Sequence, residues 1–209
     1  MSIDKSPLRI ARDTALKQLK ELMREKPSGS GLTDFAHDAL HRTKDESRDY
    51  RGEALTAVAM LDEALRGAIE SRFVPLNSER RKELFSDAAN GPLSTFSNKI
   101  RMGYAMGLYG EIFRADLDIV RHVRNVFAHA TRHVDFDVPE VAQACGLLHY
   151  SHSLVGSGLI PDNYVDDAAR CFYAVCTLGS LVFVKLIPTL TGGELLTSKG
   201  AGPDLWRLD

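Results

Sequence analysis

The residues best equipped for chemistry lie in one ten-residue stretch, RHVRNVFAHA, at positions 121 to 130. Histidine exchanges protons near neutrality, so His129 can serve as a general acid or base. Arg124 carries a permanent charge on a fork of donors, suited to an anionic group that gains charge as it reacts. Asn125 can orient the imidazole or bond an anion's oxygen. Arg124, Asn125 and His129 are therefore the candidate catalytic residues. Their spacing limits what they can do together. On a straight helix, at about 100° per residue, positions five apart point roughly 140° away from each other. Arg124 and His129 cooperate only if the helix ends or distorts near Ala128, or if two copies of the chain meet. A symmetric dimer would place the same patch of each copy face to face, so a site built from this motif predicts a homodimer.

Other chemistries are weaker. Asp118 and His122, four apart, can offer two metal ligands on one helix face. His129 lies two turns on, and a third ligand (His133 is one choice) would need another element. Solvent-exposed histidines are the simpler reading, and neither a metal nor a cofactor is expected. Cys145, Cys171 and Cys176 are odd in number and form no C-x-x-C pair, which fits buried thiols in a reduced, cytoplasmic protein. No glycine-rich loop follows a strand, and Ser151-His152-Ser153 lacks the strand-turn-helix setting of a serine nucleophile.

The elements that must position the motif read as helices. From Glu111 to His129, Ile112, Phe113, Leu117, Ile119, Val120, Val123, Val126 and Phe127 occupy one broad half. Glu111, Asp118, His122, Asn125 and His129 form a narrow opposite stripe, where Asp118 can reach His122 and Asn125 can reach His129. Arg124 projects from the apolar half, so it must snorkel or pair with an acid from another helix. Upstream, EALTAVAMLDEALRGAIESRF (53 to 73) carries a stripe of Leu55, Val58, Leu61, Leu65 and Ile69, ended by Pro75 and Asn77. A short helix at SERRKELF follows. After the turn Asn90-Gly91-Pro92, Ser94 or Thr95 can cap a helix that ends at Gly107 and Gly110. Downstream, PEVAQACGLLHYSHSL reads as one helix opened by Val138-Pro139. CFYAVCTLGSLVFV (171 to 184), too short to span a bilayer, reads as the central core helix, with Asp162 or Asn163 as its cap.

The ends differ in character. Residues 7 to 26 form a basic amphipathic helix beginning at Pro7, with Leu8, Ala15, Leu19 and Leu22 on one side. Its basic side reads as the solvated face of a docked helix and is the favoured place for any nucleic-acid contact. The organisation is thus an N-terminal helix at 1–26, a PSGSG-containing linker at 27–32, a helical domain at 33–190 (with Thr33 or Asp34 capping its first helix) and a glycine- and proline-rich tail at 191–209. That tail is expected to be extended, with Trp206 available to dock. No alternating run demands a sheet, so the fold class is all-α, a bundle of roughly four to six helices. The formal net charge of −2 argues against a chain coated in phosphate-neutralising lysines. The N-terminus has no apolar signal-peptide core, and no membrane span is expected.

The Arg-Asn-x-x-x-His pattern at 124 to 129 is similar to the signature of the HEPN superfamily of helical bundles, many of them metal-independent endoribonucleases. The longer pattern, NGPLSTFSNKIRMGYAMGL from Asn90 with DIVRHVRNVFAHA from Asp118, resembles the mannitol operon repressor family. There a Gly-Pro-Leu turn, a helix ending in a glycine-leucine step and an Arg-x4-His helix come in this order. RGEALTAVAMLDEALRGAIESRF fits that family's first long core helix, and the likeness covers roughly residues 46 to 140. It implies a HEPN-like bundle, dimeric, acting as a transcriptional regulator on a protein or nucleic-acid partner. No helix-turn-helix accompanies it, and nothing in these residues recognises a polyol. The HEPN likeness implies instead an endoribonuclease of the toxin or defence kind, with His129 moving protons and Arg124 stabilising a phosphorane-like transition state.

Overall fold

Helices form here because apolar side chains recur every three or four residues and because short polar residues stand where the backbone needs caps. The computed structural model describes residues 7–24, 50–131, 134–156 and 165–185. Among them are eight helices and no strand. These are α1 (Pro7–Arg24), α2 (Tyr50–Glu70), α3 (Ser78–Phe85), α4 (Phe96–Ala105), α5 (Glu111–His129), α6 (Pro139–Cys145), α7 (His149–Gly156) and α8 (Ala168–Lys185). The fold is all-α, a helical bundle. The helix expected from Thr33, the 27–32 linker, Asp162, Asn163, His133 and the tail at 191–209 lie outside the described residues.

α2 and α8 make the most extensive contact, and α5 packs across both. The approach of α8 is set by Gly179, where a Cβ would stand 3.0 Å from Leu61 and 3.2 Å from Phe113. Cys171, Phe172, Val175, Cys176 and Phe183 of α8 are all buried, so its apolar run is core. Among the described residues no helix is long and apolar enough to cross a membrane. α1 lies on α5 and α6 through Ala15, Leu19 and Leu22. Phe136, in the loop after α5, joins the layers: its ring centroid is 5.0 Å from Phe127, 5.2 Å from Phe172 and 5.7 Å from Tyr50.

Two caps settle details. Thr95 caps α4, its hydroxyl accepting from the Asn98 amide at 3.2 Å. At the other end Gly107 takes φ 68°, and the Leu108 amide reaches back to the Gly103 carbonyl at 3.0 Å. That six-to-one closure needs the left-handed backbone glycine adopts freely. Three expectations are corrected. Asn77 does not end α2; α2 stops at Glu70, and Asn77 caps α3 by accepting from the Arg80 amide at 2.8 Å. For α8, Asp167 does the capping, accepting from the Arg170 amide at 3.0 Å. The stretch from Pro139 to Leu154 is two helices, α6 and α7. The chain turns after Gly146, and α7 restarts because its first two amides, His149 and Tyr150, donate to the carboxylate of Asp116.

Candidate functional site

α5 runs without a break from Glu111 to His129, and only then does Ala130 turn to extended backbone. The two carriers of the proposed chemistry therefore keep their helical phases and point well apart within one chain. Arg124 and His129 are exposed and Asn125 is half-buried. Arg124 Nη1 donates to Asn125 Oδ1 at 3.2 Å, so the arginine is steered by its neighbour on the same helix. The structure joins Arg124 to Asn125, while helical phase keeps His129 on Asn125's face and about 140° from Arg124.

The expected division of α5 is rotated. His122 is buried and Arg124 is exposed, the reverse of what the helix's own pattern suggests. α1 packs on α5 and brings Lys20 close enough for its charge to act on His122. The His122 imidazole Nδ1 meets the Asp118 backbone oxygen at 2.7 Å, while the Asp118 carboxylate pairs with Arg121 at 3.1 Å. Burial, with Arg121 and Lys20 nearby, holds the His122 pKa below the usual histidine value despite the Asp118 carbonyl. His122 is thus a packed, hydrogen-bonded histidine. No group of three metal-ligating side chains occurs among the described residues.

Three charged contacts that helical periodicity does not reveal tie the helices together around the motif. Arg51, at the start of α2, donates Nε to the Phe127 carbonyl and Nη2 to the Ala130 carbonyl at 2.9 Å. Those carbonyls close the C-terminus of α5, which no intrahelical donor can satisfy, so Arg51 fixes the end that presents His129. Between α4 and α2, Lys99, only 5% exposed, pairs with Asp62 at 2.6 Å. Burial raises the Asp62 carboxyl above its ordinary value, and Lys99, with Arg124 further off, pulls it back. The acid from another helix thus exists, but Lys99 occupies it and Arg124 acts only at longer range.

The third contact is the most buried. Asp116, with no exposed surface, accepts from Arg12 of α1 at 2.9 Å, from the His149 amide at 3.1 Å and from the Tyr150 amide at 2.8 Å. Burial pushes its carboxyl up to about 6, against the pull of the two amides and the guanidinium. Nearby, His149 is held below the usual histidine range by burial and by the charge of Arg12. The sequence did carry a signal for this residue. Phe113, Asp116, Leu117 and Val120 fall at core spacing, and an acid in that register must be paired. Cys145, Cys171 and Cys176 are buried free thiols, each raised in pKa by burial, which keeps them unreactive.

Comparison with family models, with curated proteins and with solved structures gives no match.

Proposed function

We propose that this is a helical binding protein that acts as a regulator, of the kind the likeness to the mannitol operon repressor family implies, and that it works as a homodimer on a nucleic-acid or protein partner. One observation carries the reading: α5 continues unbroken through His129, so helical phase sets Arg124 and His129 about 140° apart within one chain. The charged side chains that are organised here, Asp116, Lys99 and Arg51, are spent on holding helices together. The exposed basic residues of α1, Lys17, Lys20 and Arg24, supply the favoured contact for an anionic partner.

The second reading is a metal-independent endoribonuclease. Its support is the exposure of Arg124 and His129 at the Arg51-clamped end of α5, where two copies meeting face to face would combine one chain's arginine with the other's histidine. In that arrangement His129 would take the ribose 2′-hydroxyl proton as the 2′-oxygen bonds to phosphorus. The 5′-oxygen would leave with a proton from water or the imidazolium, and Arg124 would stabilise charge on the phosphorus oxygens.

One experiment separates them. Purified protein is incubated with a mixed-sequence RNA in EDTA, beside Arg124→Ala and His129→Ala variants, and cleavage and retention are read from the same samples. The regulator reading expects nucleic acid or protein to be bound with no cleavage. Cleavage by the wild type, lost in both folded variants, would replace it with the nuclease.

A further inference from the structure

Along the outer side of α2 runs an apolar groove of about 870 Å³, walled by Thr56, Met60, Gly67 and Ser71 of α2 and its end, and by Phe183 and Val184 of α8. It lies apart from Asp62, whose side chain is taken by Lys99 of α4. Met60 is 63% exposed and Val184 55%, with Leu181 also exposed beside them. Large apolar side chains grouped on one face in this way mark a surface that something covers.

We propose that the occupant is the chain's own C-terminal segment, with Trp206 as its anchor. Three observations converge on it. The first is place: α8, one wall of the groove, leads directly into residues 186–209, so the segment starts where the groove is. The second is reach. Trp206 follows Val184 by 22 residues, and a flexible tether of that length would reach roughly 26 Å. The groove spans Thr56 to Ser71 on a rise of 1.5 Å per residue, about 22 Å. A tether of that length presents its end at an effective concentration near the millimolar range. The third is chemistry. The segment ends in DLWRLD, where Leu205, Trp206 and Leu208 offer large apolar side chains to an apolar trough. Among the described residues the one charged side chain lining the trough is Glu63, whose carboxylate is already paired with Arg66, so the lining suits an apolar anchor. At the centre is Gly67, where an added Cβ would meet nothing within 4 Å. The trough is open there, and an indole can lie against the helix backbone.

Trp206 is the chain's single tryptophan, so its emission reports on the segment directly. The test uses the full chain, comparing wild type with Gly67→Glu, whose Cβ has open space and which adds a charge at the trough, and with Gly67→Ala as the mild control. Emission, acrylamide quenching and mass by light scattering are followed across a dilution series. The expected result is emission on the blue side of that in denaturant, protected from quencher and unchanged on dilution. In Gly67→Glu it moves to the red and protection is lost, with circular dichroism and mass unaltered, while Gly67→Ala keeps most of the protection. Wild-type emission equal to that of the denatured chain would overturn the proposal, as would emission indifferent to Gly67→Glu. Protection that disappears on dilution, or a drop in mass in Gly67→Glu with emission unchanged, would assign the groove to a second copy instead.

Discussion

The two halves of α5 put charged residues to opposite uses. Near its start, Asp116 is fully buried and tied to α1 and α7 through three donors. Near its end, Arg124 and His129 stand in solvent, and the bond Arg124 makes to Asn125 stays on its own helix. By residue type the second group is the chemical one, and by environment the first is. Low dielectric and fixed donors make a polar group consequential, and of these three residues Asp116 has both.

The comparison can be broken by substitution, and the largest effect belongs to Asp116→Ala. It would leave the Arg12 guanidinium without its acid and remove the cap of α7, so a loss of about 3–5 kcal/mol in urea unfolding is expected. A loss below about 1 kcal/mol would show that the contact contributes little to the fold. Excision of residues 1–26 uncovers the same carboxylate, so a nucleic-acid contact on α1 is better tested by replacing Lys17, Lys20 and Arg24 than by deletion.

The next effect sharpens the contrast through pH. Because burial raises the folded-state value of Asp116 from 3.8 to about 6, the fold binds this proton more tightly than the unfolded chain does. Its contribution to stability is complete below about 3.8 and is lost as pH rises through about 6. At 1.36 kcal/mol per pH unit across that window, the loss amounts to about 3 kcal/mol. Other carboxylates titrate there too, so the informative quantity is the difference between wild type and Asp116→Asn. Unfolding midpoints at pH 4, 5, 6 and 7 should converge on a flatter curve for the variant. Parallel curves would mean that Asp116 titrates as an ordinary acid.

The smallest effect falls at the other end of the helix. Arg124→Ala and His129→Ala remove exposed side chains, and each should change stability by no more than about 0.5 kcal/mol. A larger loss in either would show that the residue holds structure in the assembled protein, and any change in nucleic-acid handling could then no longer be assigned to chemistry alone.

How far the sequence could be read follows from where each signal resides. The long helices α2, α5 and α8 were legible because helical periodicity lies within each segment. The Thr95 cap and the stop at Gly107 were legible for the same reason: both depend on backbone geometry within a few residues. The division of α6 from α7 was not, because the acceptor that restarts the chain at His149 is Asp116, 33 residues earlier. Nor was the burial of His122, which depends on how other segments pack against α5.

By itself, then, the sequence determined an all-α chain, the periodicity of its long helices and the residue types at 124, 125 and 129. Tertiary structure decided which charged residues are buried and paired, and that Arg124 is exposed while His122 is covered. The reason is physical. Helix formation and capping are short-range, whereas the surroundings of a charge are set by whichever distant segment folds against it.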